Sequence, residues 1–577
     1  MHTALGDDLW WILASGRHIV LTGTIPDTEI FSFSAPGHPW FQQEWLSHVL
    51  FYEIHHLFGP DALAGAKIVV ATGIVVLLGW VATKRSGSPF FGTVAAVFAA
   101  WACEDDLDLR AKMFTVLGSI VLLGLVDAYR RGASKRILLW TPLVLLAWVN
   151  LHYGFTYGLV ILGSYFGMET IKSWTGLPDA PMPLRRSVLL GAALLAAVVA
   201  CLLNPQPLGG FEIAFEHLHP DNPWRRGLIE WKPPWLFRDG APTVFAISLA
   251  VQGGAALLAL ALAWRRFDVA DHVLVLATGI LAYQSRRFAP LFAFVGAPLL
   301  ARNLTLVAEA ITARSEGLRE RTTPWRAATA GAIALAGAVF TFGAVVSQAR
   351  TAFAPGLFAG MTHLDSFPSG ALEFLRANPL PGRMYNFFSW GGFLLWEAPG
   401  RPIYVDGRAA VAYPGSVMDE YQSIESARPG WMKTLDRYDV HLVLHHKGYE
   451  LPLRLRQRGA WVRVYDDGMA VLFVRRSPET AEWLARFVAG ELVYPDTTGA
   501  QLFLAERALS SLPPDEAADR MADLIQSLPD GVRTAARKAQ VEGAAGMSTD
   551  PKALGTLELY EAAFERLAER GRLPPLP

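Results

Sequence analysis

The residues of this sequence with the clearest chemical potential are acids and arginines that lie beside long apolar segments. Asp7 and Asp8 come directly before Leu9-Trp10-Trp11, at the start of an apolar stretch. A carboxylate at such a boundary can act as a general base that takes the proton of an acceptor hydroxyl. It can equally stabilise the first turn of a helix, where Asp is favoured on electrostatic grounds alone. The sequence leaves both roles open for Asp7 and Asp8.

Two adjacent arginines, Arg286 and Arg287, stand between two apolar segments that are joined by almost no loop. Ionisable residues at membrane depth are candidates for functional sites, and the guanidinium fork matches the geometry of phosphate oxygens. We therefore expect these side chains, together with Arg110, to bind a phosphate or pyrophosphate that is linked to a lipid. The alternative is that the arginines only reach the lipid headgroups from the end of a helix.

Three other residues are candidates for binding a substrate. His152 separates two apolar segments, whereas Glu230 and Trp231 lie in the long Pro- and Trp-rich segment 204–242. A carboxylate beside an aromatic face suits a sugar, but Trp can also anchor a protein at the membrane interface. A lone His, in turn, can be a hydrogen-bonded packing residue.

A divalent cation is the cofactor that the sequence leaves open. The acidic run Glu104-Asp105-Asp106 offers the oxygen ligands that Mg²⁺ and Mn²⁺ prefer. The run has no regular ligand spacing, so the sequence predicts no metal site and does not require the cation.

The elements that must position these residues are membrane helices. The 577 residues are 52% hydrophobic and only 18% charged, a composition that excludes an ordinary soluble protein. A helix that spans a bilayer needs about 20 apolar residues. Candidate spans, several of them short, are 61–83, 88–103, 113–129, 137–151, 154–171, 187–203, 243–264, 269–284, 287–301 and 327–347.

The charges between these spans alternate along the chain. Gaps rich in Arg and Lys, such as Lys84-Arg85 and Arg130-Arg131, alternate with gaps that are acidic or aromatic. Because short cytoplasmic loops collect Arg and Lys, the basic gaps are predicted to face the cytoplasm. We expect a multi-pass protein of the bacterial inner membrane, with residues 1–60 and everything after residue 348 in the periplasm. In this orientation the unusual charges all lie at the outer edge of the transmembrane domain.

Composition also limits the partners of the protein. The formal net charge is −1, and no basic stripe stands outside the membrane loops, so no nucleic-acid partner is predicted. The two cysteines, Cys103 and Cys201, are too few for a disulfide framework or a metal cluster.

Residues 1–60 are predicted to contain two helices along the membrane surface, near 9–22 and 43–58. The first is apolar but too short to span a bilayer. Trp10 and Trp11 are expected at the level of the lipid headgroups. For this segment to reach the outer side, either a membrane helix precedes it or it is translocated together with the next helix.

After the transmembrane domain, 61–348, the pattern becomes that of a periplasmic α/β domain over 349–477. Strand-like and helical runs alternate, which predicts βαβ units and a mostly parallel sheet, and Asp466-Asp467-Gly468 predicts a hairpin. Residues 478–577 form a helical C-terminal extension that could bind a protein partner. The strand-like runs are 402–405, 441–444, 461–465 and 470–474, and the helical runs are 416–426, 429–438 and 451–458.

A set of short motifs runs through residues 7–475. They include Asp8-Leu9-Trp10-Trp11, Glu44-Trp45-Leu46-Ser47, Asn150-Leu151-His152-Tyr153-Gly154, Glu230-Trp231, Arg287-Phe288-Ala289-Pro290, Trp390-Gly391-Gly392 and Val405-Asp406-Gly407-Arg408. Together they resemble a group of bacterial membrane proteins similar to the GT-C glycosyltransferase superfamily, which uses sugars linked to polyprenyl phosphate. The resemblance implies a mainly α membrane protein, with a multi-helix GT-C-like transmembrane domain before the α/β domain. It also implies that Asp8 acts as the catalytic base or orients the acceptor.

The predicted function is that of an integral-membrane glycosyltransferase. It would move a sugar from a polyprenyl-phosphate-linked donor to a periplasmic or cell-envelope acceptor. Asp8 and Asp7 would act on the acceptor, and Arg286, Arg287 and Arg110 would hold the departing phosphate.

Two other classes stay open. The first is a non-enzymatic membrane scaffold or assembly factor that uses 478–577 for docking. The second is a transporter of lipid-linked glycans, which is expected to have internal repeats or ionisable residues deep in its helices. The sequence shows neither, because its unusual charges lie at one edge.

Overall fold

The computed structural model of the protein divides the chain into two compact units. The first comprises Met1–Thr28, Pro39–His363 and Ala410–Ala412, and the second comprises Glu29–His38, Leu364–Ala409 and Tyr413–Pro577. The structure describes residues 8–42, 44–103, 110–175, 182–212, 224, 231–233, 244–313, 358, 362, 366–509, 512–527 and 562–572. Asp7, Glu230, the run 104–106 and the predicted span 327–347 lie outside these residues.

The first unit is helical. Its described helices coincide with nine of the ten predicted spans, and five stretches are long and apolar enough to cross a membrane: Pro60–Ser86, Lys112–Arg130, Leu184–Cys201, Phe245–Arg266 and Arg286–Ala313. The helices are α1 (Asp8–Thr22), α2 (Trp45–Phe58), α3 (Pro60–Ser86), α4 (Pro89–Ala102), α5 (Lys112–Arg130), α6 (Trp140–Leu151), α7 (Phe155–Thr175), α8 (Leu184–Cys201), α9 (Val244–Ala263), α10 (Val269–Gln284) and α11 (Ala289–Ala313).

Apolar side chains cover much of the outside of these helices. Val69 and Trp80 of α3 are 71% and 56% exposed, and Leu257 of α9 is 69% exposed. Surfaces this apolar are uncommon on water-soluble monomers, whereas lipid tails are as apolar as the side chains themselves. The prediction of a mainly α-helical membrane protein is confirmed.

The two N-terminal helices pack within the first unit. Trp10 and Trp11 are buried: the Trp10 ring meets Phe358 edge-on at 5.9 Å, and the Trp11 ring meets His48 edge-on at 5.1 Å. The expectation that these two Trp side chains lie among lipid headgroups is therefore wrong, because protein side chains cover them.

The contact between α1 and α2 depends on Gly16. A Cβ added at this residue would lie 2.1 Å from the carbonyl oxygen of His48, so only glycine permits this approach of the two backbones. We expect Gly16→Ala to lower the free energy of unfolding by about 1–3 kcal/mol, the usual cost of overpacking, measured as the thermal stability of the purified protein.

The matched control for this substitution is Gly73→Ala, in the middle of α3. No atom lies within 4 Å of the Cβ added there, and alanine favours a helix over glycine by about 1 kcal/mol. Equal stability of the Gly16 and Gly73 variants would contradict the close approach of α1 and α2.

A buried group of ion pairs, which we call the Arg85 cluster, joins α3, α5, α7 and α10. Asp271 accepts hydrogen bonds from Arg85 Nε at 2.9 Å, from Arg130 Nη1 at 3.0 Å and from Tyr165 OH at 2.8 Å. Its charged members each have a partner of opposite sign, which a buried ion requires. The cluster consists of Arg85, Asp127, Arg130, Tyr165, Glu169, Lys172, Asp268 and Asp271.

The Arg85 cluster corrects one expectation from the sequence. Its charges lie at the far ends of α5, α7 and α10 from Lys112, Phe155 and Arg287, so the unusual charges are not confined to one edge. In the sequence these acids stand at or near the ends of predicted spans, beside gaps rich in Arg and Lys, and so attract no attention. Their burial depends on how the helices pack.

The second unit contains a small mixed sheet with helices around it. The sheet has the order β1-β2-β4-β3, with β1 parallel to β2 and the other two pairs antiparallel. Its elements are α12 (Ser369–Ala377), β1 (Arg383–Asn386), α13 (Gly391–Glu397), α14 (Gly415–Glu425), α15 (Trp431–Arg437), β2 (Val440–His446), α16 (Glu450–Arg456), β3 (Trp461–Asp466), β4 (Ala470–Arg475), α17 (Ala481–Ala489), α18 (Thr498–Leu509) and α19 (Pro514–Ser527).

The strand predictions are only partly confirmed. Three strands and the β3–β4 hairpin are present, but the run 402–405 is not a strand, and the sheet is not mostly parallel. Ile403 is instead buried in a single bridge to Ser32. The actual first strand, Arg383–Asn386, is four residues long with Tyr385 as its one strand-favouring residue, so its strand signal is weak.

The Asp406-Gly407-Arg408 motif holds the loop 29–38 against the rest of the second unit. Arg408 Nε donates to Asp406 at 2.9 Å, and its Nη2 donates to Glu29 at 3.2 Å and to the Tyr413 hydroxyl at 2.8 Å. Burial raises the pKa of Glu29, and the charge of Arg408 opposes that shift. The motif is thus a buried structural network.

Candidate functional site

Two of the predicted site residues, His152 and Arg287, line one cavity of the first unit. The cavity holds about 30 Å³, room for about one water molecule and well below the roughly 300–1,000 Å³ of small-molecule sites. Its lining residues are Lys112, Thr115, Val116, Ser119, His152, Tyr153, Tyr157, Arg287, Phe288, Pro290, Leu291 and Phe294.

Arg287 reaches the cavity from a short turn between α10 and α11. The Ser285 hydroxyl accepts the backbone N–H of Arg287 at 3.3 Å and so caps this single 3₁₀ turn. The guanidinium donates to the Tyr153 hydroxyl and lies 4.7 Å from the centroid of the Trp231 ring. An arginine held between aromatic rings loses little conformational freedom when it binds an anion.

Trp231 is buried beside Arg287, so its ring offers little open face to a sugar. It is only 4% exposed, and its ring packs edge-on against Phe288 with centroids 6.0 Å apart. Because Arg287 lies over its face, Trp231 supports the guanidinium. Its sequence neighbour Glu230 lies outside the described residues.

Lys112 is the cation that sequence reasoning missed. It is the first residue of α5, and in the sequence it stands only at the end of the acidic gap between two predicted spans. Lys112, Thr115, Val116 and Ser119 share one helix face by their spacing, and all four line the cavity. That face, followed back to the start of the helix, is the signal that could have found Lys112.

His152 lies in the turn between α6 and α7 with both ring nitrogens engaged. The backbone N–H of Gly154 donates to His152 Nδ1 at 3.0 Å, and the Thr115 hydroxyl lies 2.6 Å from the same atom. His152 Nε2 lies 3.2 Å from Glu44 Oε1. Nδ1 is therefore an acceptor, and the proton is on Nε2, which donates to the carboxylate.

The electrostatics of this pair agree with the hydrogen bonds. Burial, aided by the charges of Arg287 and Lys112 and opposed by Glu44, lowers the pKa of His152 to about 4. Burial alone would raise the pKa of Glu44. The pKa nevertheless lies below its ordinary value, because the carboxylate is stabilised by its interactions with His152, His48 and Arg287. At neutral pH the pair is a neutral imidazole beside a carboxylate.

Asp8 begins α1 and carries two contacts. Its Oδ1 accepts the indole N–H of Trp11 at 3.1 Å, and its Oδ2 lies 3.2 Å from Arg110 Nη1. The Asp8 and Arg110 side chains are 29% and 35% exposed, so the carboxylate remains within reach of an incoming molecule. Trp11 in turn packs on His48. The geometry is compatible with both capping and catalysis.

The remaining predicted residues are placed as follows. Arg286 is exposed and does not belong to the cavity lining; its backbone N–H donates to Lys232 O at 3.0 Å. Asp7 lies outside the described residues. Within the part of the chain that the structure describes, no three His, Cys, Asp or Glu side chains are grouped as metal ligands.

The cavity joins two kinds of surface. Lys112 and Arg287 bring positive charge to it, the Tyr153 hydroxyl adds a polar atom, and Phe288, Pro290, Leu291, Phe294 and Val116 form an apolar wall. Cations attract and orient an anion, whereas the apolar wall suits a hydrocarbon chain. This combination fits an anionic group attached to a lipid.

Comparison with known proteins gives likenesses of fold. No protein-family model and no curated protein matches the sequence. The Archaeoglobus fulgidus oligosaccharyltransferase AglB, in complex with an inhibitory peptide and a dolichol-phosphate, is similar with a TM-score of 0.49 and 14% identity, over 99% of this chain and 83% of that chain. The apo form of the Archaeoglobus fulgidus oligosaccharyltransferase is similar with a TM-score of 0.48 and 14% identity, over 99% of this chain and 84% of that chain.

Cupriavidus metallidurans ArnT bound to undecaprenyl phosphate is also similar. Its TM-score is 0.42 and its identity 13%, over 82% of this chain and 94% of that chain. Likeness of this degree gives no correspondence between individual residues.

Proposed function

We propose that this protein is an integral-membrane glycosyltransferase that takes a sugar from a polyprenyl-phosphate-linked donor. The observation that carries the proposal is the cavity in which Lys112 and Arg287 face a largely apolar wall. The cations would bind the phosphate, and the apolar wall would contact the first carbons of the lipid. The motifs that resemble lipid-dependent glycosyltransferases point to the same donor class.

In the proposed reaction, the bond between the anomeric carbon and the phosphate oxygen breaks, and a bond from that carbon to the acceptor hydroxyl oxygen forms. Asp8, with Asp7 beside it in the sequence, takes the acceptor proton or orients the hydroxyl. The electrons of the broken bond remain on the phosphate, whose added charge Arg287 and Lys112 stabilise. Arg286 and Arg110 add positive charge nearby.

The substrate contacts follow from the same arrangement. His152 borders the cavity, Trp231 holds Arg287 in place, and Glu230 is proposed to contact the sugar. The acceptor would be a periplasmic or cell-envelope molecule, and the extension 478–577 would dock a protein partner.

The direct test is binding of the carrier. Purified protein in detergent is titrated with undecaprenyl phosphate, and native mass spectrometry records the bound fraction. We expect saturable binding that competes with a shorter polyprenyl phosphate and that a neutral polyprenol cannot match, because Lys112 and Arg287 recognise the phosphate. Equal binding of the phosphate and the alcohol would contradict the proposal and favour a scaffold.

The proposed mechanism also requires Asp8 to face the periplasm in a bacterial inner membrane. We predict that reporter fusions after residues 85, 135, 180 and 315 score cytoplasmic, because these gaps collect Arg and Lys. Fusions after 106, 220 and 400 are expected to score periplasmic. A cytoplasmic signal at 400 would overturn this orientation.

A further inference from the structure

We propose that Glu44 and His152 are positioning residues that hold Tyr153 and Arg287 in the geometry that grips the donor phosphate. This inference rests on the proposed function and adds to it a residue, Glu44, that has no place in the reaction described above. Glu44 comes just before α2, more than 100 positions from His152 in the sequence.

The ring of His152 is fixed from two sides. Glu44 accepts the Nε2 proton at 3.2 Å. On the other side the Thr115 hydroxyl accepts the indole N–H of Trp148 at 3.1 Å and therefore directs its own proton to His152 Nδ1. Gly154 completes this arrangement, because a Cβ there would lie 2.1 Å from Thr115 Oγ1.

The His152 ring is connected to the proposed phosphate site through Tyr153. His152 and Tyr153 are neighbours in the chain, and their rings lie 4.4 Å apart between centroids. The Tyr153 hydroxyl accepts a hydrogen bond from Arg287. A fixed His152 ring therefore limits where Tyr153 and the guanidinium of Arg287 can lie.

His152 is not available as the general base. Both of its ring nitrogens already have protein partners, Glu44 on one side and Thr115 with Gly154 on the other. A general base needs a free lone pair within hydrogen-bond reach of the acceptor. The pair therefore acts through geometry.

The turn that carries His152 is itself tied to the start of α2. Trp45 Nε1 donates to Asn150 Oδ1 at 2.9 Å, and the Ser47 hydroxyl donates to the carbonyl of Leu151. Both contacts come from residues just after Glu44 and bring its side chain to the ring. Its side chain is 14% exposed and that of His152 is 7% exposed, so little water competes for the hydrogen bond.

The test compares Glu44→Gln with Glu44→Leu. The Gln amide oxygen can still accept the Nε2 proton, whereas Leu leaves it without an acceptor, at the cost of a hydrogen bond to a charged group. We expect undecaprenyl phosphate binding within about twofold of wild type for Gln. For Leu we expect binding about tenfold weaker, equivalent to about 1.4 kcal/mol.

Three outcomes would overturn the positioning role. If Glu44→Leu binds as wild type does, the ring does not need Glu44. If Glu44→Gln binds normally but loses turnover by about a hundredfold or more, Glu44 is a catalytic base. Equal weakening in both variants would also refute it, because the lost property would then be charge. Glu53→Leu, a carboxylate farther along α2, is the matched control and is expected to bind normally.

A ligand-free readout separates this inference from the proposed function. In protein labelled with ¹⁵N-histidine, the His152 signal, assigned by its loss in His152→Asn, is expected to show the tautomer with the proton on Nε2. Glu44→Leu should alter that signal, and Glu44→Gln should preserve it. If wild type shows this tautomer but binds no polyprenyl phosphate, the proposed function fails while the ring geometry stands.

A second variant keeps the inference testable if Glu44→Leu does not fold. Thr115→Val removes the hydroxyl that donates to His152 Nδ1 and changes the shape of the side chain little. We expect it to weaken undecaprenyl phosphate binding severalfold. Unchanged binding by Thr115→Val would count against the role of His152 as a positioning residue.

Discussion

Asp8→Asn is expected to lower sugar transfer by roughly 10² to 10⁴ while the protein remains folded. A general base contributes about that factor, and the amide cannot take the proton of an acceptor hydroxyl. Asn caps a helix as well as Asp does, and its oxygen can still accept the indole N–H of Trp11 that Asp8 accepts at 3.1 Å. Transfer is measured as consumption of a polyprenyl-phosphate-linked sugar per amount of folded protein in reconstituted membranes.

The capping hypothesis makes the opposite prediction for this variant. If Asp8 only stabilises the first turn of α1, Asp8→Asn retains near-normal transfer, and the chemistry belongs to another acid, with Asp7 and Glu230 next in line. The matched control is Asp27→Asn, an exposed carboxylate after α1, which is expected to leave transfer unchanged. Arg110→Gln, which removes the ion pair at 3.2 Å, is expected to have a smaller effect than Asp8→Asn.

Substitutions at Arg287 are expected to weaken undecaprenyl phosphate binding in a graded way. Arg287→Lys is expected to impair binding, and Arg287→Ala to impair it far more. Lys keeps the charge but loses the planar fork that bonds two phosphate oxygens and stacks on Trp231 and Tyr153. Ala loses both. Because a hydrogen bond to a charged group contributes about 1.5–3 kcal/mol, Arg287→Ala should weaken undecaprenyl phosphate binding by roughly ten- to a hundredfold. Native mass spectrometry gives the dissociation constants.

A headgroup anchor would behave differently at this position. Either cation can reach lipid headgroups, so an anchoring role predicts that Arg287→Lys equals wild type. Equal carrier binding by wild type and Arg287→Ala would remove Arg287 from the site. Arg265→Ala, which changes an exposed arginine in the turn after α9, is the control for loss of charge. Arg286→Ala should show a smaller loss than Arg287→Ala, since Arg286 does not line the cavity.

The helical part of the fold could be predicted because its signals are local. A helix that faces lipid must be apolar over its whole length, and this property is visible in each span without knowledge of its neighbours. The same holds for the β3–β4 hairpin, whose turn residues lie between the strands they join. The strand Arg383–Asn386 gives only a weak local signal, because it owes its structure to pairing with β2.

Only part of the candidate site could be predicted from the sequence. Arg287 could be found because a charge between two apolar spans is anomalous wherever the helices pack. Glu44 could not, because a glutamate before a short helix is ordinary in sequence. Lys112 could be found only by following one face of α5 back to the start of that helix. Their importance comes from residues more than 100 positions away, across a cavity that exists only in the packed bundle.

The sequence by itself determined where the membrane helices lie and which charges are unusual, since hydrophobicity and charge are properties of each residue and its near neighbours. Only the tertiary structure decided what those charges do. It turned the acids beside Arg85 into a buried cluster, and it placed Trp231 behind Arg287. Hydrogen bonds and ion pairs act over a few ångströms, so partners distant in the chain are chosen by the packing of helices.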